Sequence, residues 1–149
     1  KTPLHKKSVN FEDFSKQLNN LLNNLNIKKI NLVGFSFGSL VALNFAKKYQ
    51  KKVNKLILIS TVFKRDNLEK YNVRERYKKA KNNIPISNLA LKRWLSPKFI
   101  NNNPKIKKYI LTTLNKKNKD YLNFLKSYKL FSYFKDSTKE IKKKITNHD

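Results

Sequence analysis

Apolar positions in this chain follow two periods, and the change from one to the other marks its elements. Phe11, Phe14, Leu18, Leu21, Leu22 and Leu25 recur three or four residues apart, which predicts a helix over about 11–25. Asn10 stands at the N-cap position, with Asp13 three residues on able to reach back. Val9 and Phe14 occupy the places of a hydrophobic staple. Lys29–Val33 is then a short apolar run bounded by Gly34, which predicts a buried strand. A helix opens at Gly38 and runs to about Gln50. Val53–Ser60 is a second, nearly continuous apolar strand. Strand, helix and strand with short connections form a βαβ unit, whose strands are expected to be parallel and covered on both faces.

Beyond Phe63 the strand pattern stops. Residues 66–81 predict a charged helix, and 86–95 carry Ile86, Leu89, Ala90, Arg93 and Trp94 on one helical face. Ser96-Pro97 and Asn103-Pro104 each read as a cap followed by a first-turn proline. Ile106, Tyr109, Ile110, Thr113 and Leu114 predict the packed face of the next helix. Tyr121, Phe124, Leu125, Tyr128, Phe131 and Phe134 predict that of another. Ser137 and Glu140 suggest a capping box for a final short helix. The chain therefore divides into an α/β part, 1–63, an all-helical part, 64–136, and a return segment, 137–149. Two strands do not make a stable sheet by themselves. The rest of the sheet is expected in sequence outside this chain, and a chain that lacks Met altogether fits a piece of a longer protein.

Composition narrows the chemistry. With 149 residues and no Cys, disulfides, thiolate metal sites and a Cys nucleophile are excluded, and two His cannot build a His-rich metal cluster. No cofactor is expected. No apolar run is long enough to span a membrane, and Lys1–Asn10 has no signal-like apolar stretch, so the expected location is the cytoplasm. The formal net charge is +26, which raises the question of nucleic acid. However, only four basic residues are Arg (Arg65, Arg74, Arg76 and Arg93), and the lysines are spread along the whole chain. Lys, Asn and Ile are abundant together, as A/T-rich coding would produce. Specific nucleic-acid binding is therefore not expected, although the field should attract anions. Nothing in the sequence fixes an oligomeric state.

The two glycines carry the sharpest signal. Gly34-Phe35-Ser36-Phe37-Gly38 is G-x-S-x-G, set between a strand and a helix as a nucleophile elbow requires. The serine would occupy a strained turn that presents its hydroxyl above the sheet. Side chains at 34 and 38 are expected to crowd that turn. The amide of Phe37 would donate to an oxyanion, at the positive end of the following helix.

Residues 29–63 resemble the nucleophile strand, elbow, helix and next strand of the α/β-hydrolase superfamily. Residues 91–136 are similar to the helical cap of its enol-lactonase and carboxylesterase branch, with Arg93-Trp94, the Asn103-Pro104 helix start and Tyr121 fitting the pattern. The resemblance implies a partial α/β-hydrolase fold followed by an all-helical cap. It makes Ser36 the nucleophile, the Phe37 amide an oxyanion donor, and Trp94 a candidate for lining the substrate pocket. The expected reaction is hydrolysis of a small-molecule carboxylic ester or lactone through an acyl-enzyme. Ser39 departs from the family's common second glycine.

The family order places an acid and then a His after the cap. Asp66, Asp120 and Asp136 fall within or at the end of the cap, His5 precedes the nucleophile, and His148-Asp149 follows no buried strand. The triad acid and His are thus expected outside this chain, and the isolated piece is expected to be inactive. Two alternatives stay open: an esterase acting on carrier-bound acyl groups, which a basic surface suits, and a non-catalytic basic binding module on a hydrolase scaffold.

Overall fold

The computed structural model describes residues 9–115 and 121–135. The predicted helix and its capping box lie outside these at 137–140, as do His5, His148 and Asp149. Helix α1 spans Phe11–Asn24. Its cap is reciprocal: Asn10 Oδ1 accepts from the Asp13 amide and Asp13 Oδ2 accepts from the Asn10 amide, both at 2.9 Å. Strand β1 (Ile30–Phe35) leads into α2 (Phe37–Lys48). A 3-10 turn at Gln50–Lys52 then precedes strand β2 (Val53–Ile59). The strands are parallel and paired from Ile30↔Val53 to Phe35↔Ile59. Gly34 does not end β1, as the sequence suggests. It lies inside the strand opposite Leu58, because the ladder continues to Phe35.

Helix α2 covers one face of this sheet, and α1 packs on α2. Leu40, Ala42 and Phe45 of α2 and Leu22 of α1 are buried there. At the same seam the fully buried Ser15 donates its hydroxyl to Asn44 Oδ1 at 2.8 Å. The expectation that both sheet faces are covered is not met among the described residues. Val33, Phe35, Ile57 and Ile59 point to the other face and are exposed. The helix face predicted for α1 is also narrower than expected, since Leu21 and Leu25 are exposed.

Beyond β2 the described residues are helical: α3 (Asn67–Lys81), α4 (Ser87–Trp94), α5 (Pro97–Asn102), α6 (Pro104–Asn115) and α7 (Tyr121–Ser132). Asp66 and Glu69 form a second reciprocal capping box, at the start of α3. Ser96 caps α5 through the Phe99 amide, as its sequence predicts. Asn103 acts differently: its side-chain amide donates back to the Phe99 carbonyl at 2.9 Å and closes α5, while Pro104 opens α6. The predicted faces of α4 and α6 need correction. In α4 the buried positions are Ser87 and Leu91, with Leu89 and Trp94 exposed. In α6 Ile110 and Leu111 are the half-buried pair, and Tyr109 is 72% exposed. These short helices bury the side turned to a neighbour, α4 against α6, and that side is not the one with the densest apolar spacing. Helix α7 packs along α3, and the Tyr121 hydroxyl donates to the Ala80 carbonyl at 2.7 Å.

Candidate functional site

Ser36 occupies the single residue between β1 and α2, with φ 51° and ψ −119°. An L-residue holds such a conformation only where its surroundings over-determine it. Three hydrogen bonds do so here. The Ser36 amide donates to the Ile59 carbonyl at 2.9 Å, which ties the turn to the end of β2. The Ser36 carbonyl accepts from the Ser39 amide at 3.0 Å and from the Ser39 hydroxyl at 2.5 Å. Ser39 is fully buried, so the departure from glycine at this position supplies a clamp. The Ser36 hydroxyl makes no capping bond to α2, although serine is a good N-cap residue.

The glycines play unequal parts. A Cβ on Gly34 would lie 2.6 Å from the Gly38 carbonyl oxygen, 2.6 Å from Ser39 Cα and 2.7 Å from Ala42 Cβ. Only glycine lets β1 pass this close to the first turns of α2. Gly38 is different from the expectation: a Cβ there meets nothing within 4 Å, and its φ is not positive. Neither crowding nor backbone conformation requires glycine at 38 among the described residues.

Phe37 begins α2, so its amide is one of those without an intrahelical acceptor. Its ring is held by Phe14 at 5.4 Å, Phe11 at 5.8 Å and Phe131 at 6.4 Å between centroids. This cluster joins α1, the turn and α7 at the residue next to Ser36.

Beside the turn, a cavity of about 620 Å³ is lined by Thr61, Arg65, Glu69, Arg76, Arg93 and Phe131, among others. It starts two residues past Ile59, whose carbonyl holds the Ser36 amide, and Phe131 is the ring neighbour of Phe37. Ser36 itself is not in its lining. Arg65 is 6% exposed; its guanidinium sits 4.3 Å over the Phe131 ring and donates to the Phe131 carbonyl at 2.8 Å. Arg93 is exposed overall. Even so, partial burial holds its guanidinium below the usual value, and the like charge of Arg76 adds to this against a smaller opposing effect of Tyr128. Trp94, the candidate from sequence, ends α4 at 56% exposure and does not line the cavity. No sequence signal joins Arg65, Arg76 and Arg93, because they come from a loop and two helices.

The described residues include no His. Asp66 is committed to its capping box, while Asp120 and Asp136 lie outside the described residues. No group of three or more His, Cys, Asp or Glu that could hold a metal occurs among the described residues, and no helix there is long and apolar enough to cross a membrane.

A strand, a strained turn at a serine and a helix packed through glycine define a class, and comparison with known proteins names it. The family model for the α/β-hydrolase fold matches residues 1–102, and the chain belongs to that family. The enol-lactonase from Burkholderia xenovorans LB400 has a similar structure, with a TM-score of 0.71 and 17% identity over 87% of this chain and 49% of that one. A hydrolase from Pseudomonas aeruginosa PA01 gives 0.69 and 16% over 88% and 49%. MGS-M2, an α/β-hydrolase enzyme from a Medee basin deep-sea metagenome library, gives 0.65 and 22% over 87% and 48%. The chain thus spans about half the length of each of these structures. No curated protein matches it.

Proposed function

We propose that this chain is the nucleophile-bearing half of a serine hydrolase of carboxylic esters or lactones, and that Ser36 is the nucleophile. The observation that carries the reading is the backbone of Ser36. Its positive φ is maintained by bonds from β2 and Ser39, while its hydroxyl is left out of helix capping. The hydrolases among the structures similar to this chain support the general chemistry, and the enol-lactonase supports lactones as a substrate class.

In this reading Ser36 Oγ attacks the substrate carbonyl and gives up its proton to a base. The carbonyl oxygen becomes an oxyanion that accepts from the Phe37 amide. The C–O bond to the leaving alkoxide breaks, the alkoxide takes the proton, and an acyl-serine ester remains. Water then hydrolyses that ester. Helices α3–α7 act as the cap over the site, and Trp94 is retained as a candidate pocket residue. A serine hydroxyl without a base is a weak nucleophile. In this reading the base and the acid lie outside this chain, and the chain alone is expected to be inactive.

The test is labelling of the intact protein with a fluorophosphonate, which reacts with activated serines. Label on Ser36, lost in Ser36→Ala, is the expected result. An intact, folded protein that takes no label, or labels equally after the substitution, removes Ser36 as nucleophile.

A further inference from the structure

We infer that Ser60 is a second hydroxyl of the active site, donating a hydrogen bond to the single-bonded oxygen of the substrate's ester group. This inference rests on the reading of Ser36 as nucleophile and adds a residue that selects oxygen esters and lactones over thioesters. Ser36 and Ser60 occupy equivalent places. Each stands one residue past the end of a strand, β1 at Phe35 and β2 at Ile59, and those two ends are paired in register. The bond from the Ser36 amide to the Ile59 carbonyl, 2.9 Å long, carries the ladder one residue further, so Ser36 lies opposite Ser60. Neighbouring strands run about 5 Å apart, which sets the spacing of the two backbones.

Ser60 has a backbone φ of 51°, the same as Ser36. Two other described non-glycine residues have positive φ, Asn26 and Asn83, and each follows a helix, α1 and α3. Asn tolerates that conformation through its short polar side chain, whereas for serine it is a strained choice. Glycine would hold the turn without that cost, so a serine kept there points to a use for its side chain. Ser60 is exposed, and its hydroxyl has no hydrogen-bond partner among the described residues. A hydroxyl that served the turn alone would bond the backbone beside it, as that of Ser39 does.

Ligands of open α/β sheets sit outside the carboxyl ends of the strands, which is where both serines stand. An ester or lactone group carries two oxygens. In the reaction set out above, the carbonyl oxygen turns to the Phe37 amide at the start of α2. The single-bonded oxygen, one bond from the carbon that Ser36 Oγ attacks, is the acceptor left for the neighbouring hydroxyl on β2. The contact strengthens as the C–O bond breaks and charge gathers on that oxygen, so it favours the transition state. Ser60 keeps its own proton throughout, and the departing alkoxide still takes its proton from the base. A thioester places sulfur at this point, a weak acceptor that gains little from the hydroxyl.

The experiment uses the intact protein with ethyl butyrate and S-ethyl thiobutyrate, which differ at that one atom and give the same butyryl-enzyme. Ser60→Ala removes the hydroxyl and keeps the backbone cost, while Ser60→Gly removes both. Each is expected to lower kcat/KM for the oxygen ester about tenfold, the scale of one hydrogen bond, and to leave the thioester within twofold. Ser60→Gly is expected to melt no lower than Ser60→Ala, so its loss of activity is not a loss of fold. Equal loss on both substrates, no loss on the oxygen ester, or full activity in Ser60→Gly overturns the contact.

Fluorophosphonate labelling separates this inference from the nucleophile assignment. Label on Ser36 in the wild type and in both Ser60 variants, together with the loss confined to the oxygen ester, is the expected result. Label in all three without that selective loss overturns the Ser60 contact and leaves Ser36 untouched. No label in the wild type removes Ser36 as nucleophile and the Ser60 contact with it.

Discussion

The ring of Phe37 lies 6.4 Å from that of Phe131, edge to face at 71°. One residue follows Ser36 directly, and the other floors the arginine-lined cavity from α7. The same Phe131 ring carries the Arg65 guanidinium at 4.3 Å. Edge-to-face pairs and cation–π contacts each contribute beyond simple area burial. Phe131→Ala is therefore expected to destabilise the fold by about 2–4 kcal/mol. Phe131→Leu should recover roughly half of that by filling the volume. Urea unfolding measures both, and equal stability of Phe131→Ala and wild type would show that the cluster does not hold α7 to the turn.

The two glycines should respond oppositely to alanine. Gly34→Ala drives a Cβ to within 2.7 Å of backbone atoms at Gly38 and Ser39 and of the Ala42 methyl. None of these is the movable end of a side chain, so a loss of about 3 kcal/mol is expected. Gly38→Ala meets open space inside a helix, where alanine is the better residue. Its stability should be unchanged or slightly raised. Thermal unfolding of the pair decides the matter: equal losses would mean that the turn is crowded on both sides.

Ser36→Gly should stabilise the protein while abolishing labelling. The positive φ costs a serine about 1 kcal/mol or more, and glycine carries no such cost. A rise of about 1 kcal/mol in unfolding free energy is expected, measured by denaturant titration beside Ser36→Ala. If Ser36→Gly is less stable than Ser36→Ala, the turn is not strained.

The pair Glu12–Lys48 gives a pH signature. Glu12, in the first turn of α1, accepts a hydrogen bond from Lys48 in the last turn of α2 and is also paired with Lys16 at 3.2 Å. The Lys48 hydrogen bond, then that of Lys16 and their charges, holds the Glu12 carboxyl below its ordinary range. The folded pKa is thus below the unfolded one, and the pair stabilises the fold at pH values above the ordinary carboxylate range. That contribution fades as pH falls through the folded pKa. Wild type should exceed Glu12→Gln in melting temperature at neutral pH, and the gap should close in acid. The gap should be small, since both groups are exposed. A gap that widens in acid would reverse the sign.

Much of the architecture is legible in the sequence because local signals agree there. The Asn10/Asp13 box, the apolar strands and the Ser96-Pro97 start all depend on neighbours within a few residues. The end of β1 is not legible, because pairing with Ile59 carries the ladder through Gly34. The ends of α1 and α3 fall within a residue of their expected places, but the device that closes them is hidden for another reason. With both glycines used at the turn, Asn26 and Asn83 take the left-handed position after α1 and α3, at φ 54° and 61°. Ile27 and Ile84 then donate back to the Leu22 and Lys79 carbonyls at 2.8 Å, the closure that glycine usually provides. In a chain rich in Asn those two positions do not stand out. The arginine cavity is hidden because its members meet only through the packing of α3, α4 and α7 around the loop after β2.

The uncovered sheet face carries Val33, Phe35, Ile57 and Ile59 in a chain of net charge +26. Apolar faces of this kind associate, while like charges hold copies apart. Which of the two wins depends on ionic strength, because the screening length shrinks from about 10 Å at 0.1 M salt to about 3 Å at 1 M. The chain's colloidal behaviour is accordingly inverted relative to a protein held in aggregates by charge: it should stay dispersed in dilute buffer and cluster as salt is added, face to face through those four side chains.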